Sequence, residues 1–454
     1  MNTPIVNQGA FTAVVEIKKG KVEELKSLLN PIGENADTPT CPIDFRQLKT
    51  IHFLRLVVLD ETTNIDGDPR YDMPGFLVLS TNYDEPFENH LDELIAVGGE
   101  TLRAICSHCV EFDPGTTNIK PFLRNRQVPY AAFYVGTRGR TVQEIRKESE
   151  LRDGIQDFLD KRGVTPNESP LEIRKAIQGF VASDPRFQWT RQDHRSALQW
   201  RWFFYGMRVV FIVLGVLLLF GLGALGAWLW GPWWSWSLPV GVVTALLALA
   251  ALWLWVVTLH EKQEAAAAPP RVPIMGASIA DQKEREDQIV QNQLSNIVWI
   301  KPGWFRLMTI RLVLALINFL GRYYYVRGAL GGIPTIHFAR WVILNDNRRV
   351  LFFSNFDGSW ENYLGDFIDK AASGLTAIWS NCIGCPPSQR LTGAGASDEA
   401  AFKTWVRQNQ LVTQVWYSSY EELTVVNINN NSYIRLGLSG DMDLAQTEQW
   451  LARI

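Results

Sequence analysis

The phrase TIHFLR at residues 50–55 returns as TIHFAR at 335–340, and this near-identity constrains the chain more than any other feature. A chance echo would stop at the phrase, but here the flanks correspond as well. Upstream, VVEIKKGK (14–21) aligns with IVWIKPGW (297–304), matching Ile17, Lys18 and Gly20 to Ile300, Lys301 and Gly303. Downstream, FLVLSTNYDEPFENHLDELI (76–95) aligns with VLFFSNFDGSWENYLGDFI (350–368). That sets Asn82, Asp84, Glu88, Asn89 and Leu91 against Asn355, Asp357, Glu361, Asn362 and Leu364. CSHC (106–109) then meets CIGC (382–385). Four blocks in one order read as an internal duplication, so a paired architecture is expected.

Each copy spells the same order of elements. A β-rich run (FTAVVEI, LSNIVWI) leads to a helical segment, and the strand IHFLRLVVL or IHFARWVIL follows. GFLVLST or RVLFFSN comes next, then the helix PFENHLDELI or SWENYLGDFI. A fourth strand, YAAFYVG or TQVWYSS, precedes a last helical stretch. Period-two alternation marks the strands and 3.6-residue spacing the helices. The order βαββαβ is the ferredoxin-like motif. With its KxG opening (Lys18 to Gly20, Lys301 to Gly303), the chain resembles the dimeric α/β-barrel superfamily. That group includes antibiotic-biosynthesis-type monooxygenases, chlorite dismutases and dye-decolourising peroxidases. In the last two the ferredoxin-like unit is duplicated within one chain. The resemblance implies an α+β fold in which two tandem ferredoxin-like repeats form a pseudo-dimer.

That pseudo-dimer is interrupted. From Val209 to Leu259 no residue is charged. The run divides into two 22-residue segments, 209–230 and 238–259, around GPWWSWS. About 20 apolar residues cross a bilayer as a helix. Gly231 and Pro232 permit the reversal, and Trp228, Trp230, Trp233, Trp234 and Trp236 suit a membrane–water boundary. A two-helix transmembrane hairpin is therefore expected, and it returns the chain to the side it left. Arg191, Arg195, Arg201 and Arg208 precede it, Lys262 follows it, and the far turn is uncharged. The positive-inside rule then places both soluble halves in the cytoplasm, at an inner or plasma membrane. No cleaved signal peptide is expected at the start, and five cysteines in such a compartment should stay mostly reduced.

The expected layout is a first repeat at 1–165, a helical connector at 166–201 and the hairpin at 202–260. A linker with a solvated helix follows at 261–290, then the second repeat at 291–454. Ser169–Pro170 marks a helix start in the connector. The two first helices differ. KVEELKSLL is polar on one side, whereas 304–327 is apolar almost all round, with Arg306, Arg311 and Arg322 as exceptions. Its uninterrupted apolar run, Leu312 to Ile317, is too short to span. A helix lying in the membrane interface and a core helix at the repeat–repeat contact are both open readings.

Candidate chemistry lies at matched positions: His337, Arg340, Asn355 and Asp357, with His52, Arg55, Asn82 and Asp84 in the first copy. A haem enzyme needs a ring nitrogen for iron and a distal Arg or Asp to polarise peroxide. Regular alternation, however, puts Phe338 with Arg340 on one face and His337 with Ala339 on the other. The plainer reading is a strand histidine bonded to backbone, an arginine paired with an acid, and a helix start capped by Asp84 or Glu85 in the first copy and by Ser359 or Asp357 in the second. By resemblance, SNFDG keeps Asp357 and Gly358 of the peroxidase Gly-x-x-Asp-Gly motif and lacks its first glycine. The four CxxC cysteines, Cys106, Cys109, Cys382 and Cys385, form a zinc set if the pseudo-twofold brings both pairs together. Redox chemistry, for which a CxxC should start a helix after a strand, and inherited buried thiols are the alternatives.

Net charge is −3 with no basic run interleaved with aromatics, so no nucleic-acid partner is expected. P-loop, Rossmann, HExxH and GxSxG contexts are absent. Two functions remain open. One is a membrane-bound oxidoreductase, peroxidase- or monooxygenase-like, acting on peroxide or a lipophilic substrate, its cofactor left open with haem as a candidate. The other is a non-catalytic module, anchored among membrane lipids, that binds a lipophilic ligand or a protein.

Overall fold

The computed structural model describes residues 7–65, 68–163, 168–191, 197–232, 236–265, 286, 288–325, 330–344 and 346–454. Most of the expected linker and solvated helix, the centre of the tryptophan-rich turn and residues 326–327 of the expected interfacial helix therefore lie outside the described residues. The chain is mixed α+β, with antiparallel sheets and three long apolar helices.

The first half runs β1 (Gln8–Glu16), α1 (Val22–Glu34), β2 (Ile51–Leu59), β3 (Phe76–Asp84), α2 (Phe87–Cys106), α3 (Ile119–Arg124) and β4 (Ala132–Val135). Next come α4 (Val142–Arg162), α5 (Pro170–Ser183), α6 (Ala197–Trp230) and α7 (Ser237–Ala265). The second half opens with β5 (Gln291–Trp299), α8 (Trp304–Tyr323), β6 (Ile336–Ile343), β7 (Arg349–Asp357) and α9 (Trp360–Trp379). It continues through a short ribbon, β8 (Ser388–Gln389) and β9 (Gly393–Ala394), to α10 (Glu399–Gln408), β10 (Val415–Ser418), α11 (Val425–Leu436) and α12 (Leu444–Leu451).

The sheets correct one expectation. The sequence implies that each half keeps its own fourth strand, but the strands are exchanged. One sheet has the order β1-β3-β2-β10 and the other β4-β6-β7-β5. Tyr417 of β10 pairs with Leu54, and Tyr134 of β4 pairs with Ala339. Before leaving, each connection forms one isolated bridge to its own sheet, Gln127 with Ala13 and Gln410 with Asn296. Val128 N–H donates to Thr12 O, and Leu411 N–H donates to Ser295 O, both at 2.8 Å. Pro129 follows Val128 and has no N–H for another rung, so the first connection departs there.

Burial then sets the layers. Leu54, Leu56 and Val58 face a core closed by Leu25 and Leu29 of α1 and Leu91 and Leu94 of α2. Ala339 and Trp341 face the matching core under α8 and α9. The alternate residues meet between the sheets, where Val57, Leu59 and Val78 pack on Val342, Leu351 and Phe353. At the other end of that space, Phe53, Phe133, Phe338 and Tyr420 pack together. α4 and α5 join α11 and α12 around Leu151, Ile177, Ile434 and Trp450, so the segment expected as a connector belongs to a helical cap. Ser169 caps α5 in a capping box with Glu172, and Pro170 is its first residue.

By length and composition α6, α7 and α8 can each cross a membrane. α6 and α7 leave Ile212, Leu218, Phe220, Leu246 and Leu247 more than half exposed along their length. An apolar surface that long is foreign to a water-solvated monomer.

Candidate functional site

Both candidate histidines are the extra residue of a β-bulge. Ile51 pairs with Tyr83 and Phe53 with Asn82, so His52 has no partner across the ladder. Ile336 pairs with Phe356 and Phe338 with Asn355, which leaves His337 in the same position. A bulge re-aims its side chain. His337 thus turns between the sheets, with its ring 5.4 Å from Phe53 and 5.9 Å from Tyr420. Phe338 and Arg340 do share a face, as alternation requires. His337 does not join Ala339 on the other, because the bulge resets the alternation.

Each imidazole is held by its matched aspartate. His52 Nε2 lies 2.9 Å from Asp84 Oδ1, and His337 Nε2 lies 2.6 Å from Asp357 Oδ1. The second oxygen of each carboxylate accepts a helix N-terminal amide, from Val142 of α4 at 2.9 Å and Val425 of α11 at 2.8 Å. There the helix dipole favours negative charge. The aspartates therefore do not cap the helices that follow them. α2 follows Pro86 without a side-chain cap, and α9 is capped by the Ser359 hydroxyl, the alternative expected there. Nor do the histidines bond backbone through their rings, as the plainer reading held.

The arginines reach across to the opposite half. Arg55 Nη1 donates to Leu294 O at 2.9 Å and Ser295 Oγ at 3.0 Å, while its Nη2 donates to Ser354 O at 3.0 Å. Arg340 Nη1 donates to Phe11 O at 2.8 Å, and its Nη2 donates to Ser80 Oγ. No carboxylate pairs with either one among the described residues, contrary to expectation. Burial pulls Arg340 down to about 9 and Arg55 well below its ordinary value. Between them, Asn355 Nδ2 donates to Asn82 Oδ1 at 3.3 Å.

Sequence reasoning missed Tyr420, whose hydroxyl lies 2.8 Å from His52 Nδ1. Its counterpart is Thr137: Ser419 N–H donates to His52 O, Gly136 N–H donates to His337 O, and the next residues correspond. A threonine is too short to do what the phenol does. Among the described residues, His337 Nδ1 and Thr137 Oγ1 are both buried without a hydrogen-bond partner. No motif announces this asymmetry, since Tyr420 and Thr137 share no local pattern.

The set does not fit haem. Both imidazoles are fully buried. One nitrogen of His337 faces Asp357 and the ring is enclosed by Phe53 and Tyr420, so a porphyrin would have to displace both aromatics. Both oxygens of Asp357 are engaged as well.

The cysteines do not assemble either. Cys106 and Cys109 lie in the first helix-covered core, whereas Cys382 and Cys385 belong to the second. All are free, and burial pushes the Cys109 and Cys385 thiols up to about 12. Among the described residues no three His, Cys, Asp or Glu side chains could hold a metal. The CxxC echo is itself out of register. Ile17 bridges to Cys109 and Ile300 to Cys382, and Lys18 and Lys301 donate to Ser107 O and Ser380 O. Cys109 therefore matches Cys382, and the CxxC pairs are offset by three residues.

An open groove of about 570 Å³ borders Tyr420, lined by Asp37, Arg146, Asp153, Asp157, Glu421 and Glu422 among others. Asp37 and Glu421 hydrogen-bond to one another, and burial pushes both carboxyls up. The lining also holds Glu150, so its six carboxyl groups outnumber Arg46, Arg146 and Arg186, and Arg146 donates to Ser419 O at 2.9 Å and Tyr417 Oη at 3.0 Å.

Asp357→Asn should lower the unfolding midpoint of the detergent-solubilised chain. It weakens two hydrogen bonds to a charged acceptor, a loss of about 2–3 kcal/mol. Asp84→Asn should cost a similar amount. An unchanged midpoint in both variants would show that the carboxylates do not secure α4 and α11.

Compared with known protein families, with curated proteins and with solved structures, the chain matches none.

Proposed function

We propose that this protein is a non-catalytic binding module anchored in a membrane. In this reading, two ferredoxin-like repeats that arose by duplication form a pseudo-dimer with exchanged last strands. α6 and α7 form a transmembrane hairpin that holds this head on the cytoplasmic side. One observation carries the choice over an oxidoreductase: His52, Arg55, Asn82, Asp84 and their counterparts are all buried and bonded within the protein. Retention in both copies then follows from joining the halves, since a single active site would let one copy drift. The side chains that a peroxidase would turn toward its substrate face one another instead.

The long exposed apolar surface of α6 and α7 supports the hairpin, and the arginines clustered before it support the sidedness. The acidic groove beside Tyr420 offers the head a recess for a partner that carries positive charge.

Absorption spectra and metal analysis of the detergent-purified protein, before and after haem addition, test the reading. The expected result is no Soret band in either state. A band that His337→Ala abolishes would restore the oxidoreductase. A membrane-impermeant maleimide on intact cells should label Ser235→Cys and spare Lys19→Cys, and the reverse pattern would invert the sidedness.

A further inference from the structure

By composition α8 passes for a third membrane span, yet its contacts lie crosswise. Near its start, the Phe305 ring is 4.5 Å from Trp253 and 5.0 Å from His260, both on α7. Near its end, Phe319 and Tyr323 lie 5.5 and 5.2 Å from Phe211 on α6. Helix rise converts these positions to depths. At about 1.5 Å per residue, Phe211 is roughly 30 Å below Gly231, and Trp253 and His260 are roughly 24 and 35 Å below Ser237. Both ends of α8 therefore meet the α6–α7 pair at one level. Phe305 and Phe319 are themselves about 21 Å apart along α8. A helix running beside the pair would touch it at two depths separated by that distance.

The level itself is informative. About 30 Å is the thickness of a bilayer's hydrocarbon core, so α8 crosses the pair where the near leaflet ends. Its two faces are consistent with that position. Ile310 and Leu314 are buried in the second core, Thr309 is buried beside them in sequence, and Asn318 Oδ1 accepts from Phe133 N–H at 3.2 Å. The opposite face leaves Trp304, Met308, Leu312, Leu316 and Phe319 exposed at helical spacing. Arg322 flanks this stripe and can extend to the lipid headgroups, whereas Arg311 donates to Asn347 Oδ1 at 2.7 Å.

We infer that α8 is an in-plane membrane helix whose exposed stripe rests in the headgroup–acyl boundary of the leaflet nearest the head. The occupant of this face is phospholipid, because the stripe continues the apolar surface of α6 and α7. The inference rests on the membrane reading of that pair. An in-plane α8 fixes the distance and tilt of the head against the bilayer, which two spans alone leave free.

The test uses the full chain in nanodiscs of phosphatidylcholine and phosphatidylglycerol. Nitroxides go singly on Met308→Cys, Leu312→Cys and Leu316→Cys in a Cys385→Ser background. Val216→Cys and Leu247→Cys report on the hairpin, and Lys19→Cys on water. Power saturation compares accessibility to oxygen and to a nickel chelate. The three α8 sites should show an oxygen-to-nickel ratio several-fold above Lys19→Cys, with equal depths. A depth that advances steadily from 308 to 316 would make α8 a span and overturn the inference. Nickel-accessible α8 sites beside lipid-buried 216 and 247 would overturn it too, because the stripe would then face water. Nickel access at 216 and 247 would instead remove the membrane reading itself, and the in-plane assignment with it.

Discussion

Residues 1–165, expressed alone, will not yield a cooperative monomer. In the full chain the free edge of β2 is covered by β10, and β4 finds its partner only on β6. Separation leaves an open edge on one strand and an unpaired second strand, which is a template for association. It also exposes the layer between the sheets. Phe53, Val57, Leu59 and Val78 are all nearly fully buried. At about 1.5–3 kcal/mol for each large apolar side chain, exposing these four forfeits roughly 6–12 kcal/mol. That is comparable to the whole net stability of a typical domain. Size-exclusion chromatography with light scattering should show oligomers or aggregate, and thermal unfolding should lack a sharp transition. A monodisperse monomer with a cooperative melt would mean that the exchanged strands do not hold the halves together.

Removing the carboxylate of Glu264 should have the next largest effect. Arg306 is 1% exposed, and its Nε and Nη2 donate to Glu264 at 2.9 and 2.7 Å. Lys301 Nζ reaches the same carboxylate at 2.8 Å. Glu264 lies at the end of α7, so this cluster ties the α6–α7 pair to the second half. Glu264→Ala leaves a buried guanidinium with Asn381 Oδ1 at 3.3 Å as its remaining side-chain acceptor. Orphaning one member of a buried ion pair costs about 3–5 kcal/mol. The unfolding midpoint in detergent should fall sharply. Adding Arg306→Met to Glu264→Ala should recover part of the loss, since no charge is then stranded. A single variant as stable as the parent, or a double variant worse than the single, would show that the cluster is not a clamp.

Much of the fold is legible in the sequence because its causes are local. The charge-free run from Val209 to Leu259 fixes two long apolar helices whatever they pack against. The nearly continuous apolar, β-rich runs IHFLRLVVL and IHFARWVIL mark β2 and β6, which are buried along almost their whole length. Ser169 and Glu172 announce α5 within four residues. The candidate site was legible as a set of positions: every His, Arg, Asn and Asp singled out proves buried, and the two sets meet between the sheets.

What those residues do was not legible. A bulge is a mismatch in length between neighbouring strands, and TIHF alone does not reveal which residue β3 or β7 will skip. Asp84 pairs with His52 and with Val142, 58 residues further on, whereas local capping rules look only to the helix beside it. CxxC looks equivalent in both halves until bridges to Ile17 and Ile300 show that Cys109 matches Cys382. The apolar helices, the apolar strands and the residues that recur in the two halves can be read along the chain, since each depends on neighbours a few positions away. The change of sheet by the fourth strands and the joining of the halves through the polar set emerge with the folded contacts. Both depend on contacts between segments hundreds of residues apart, which no local pattern encodes.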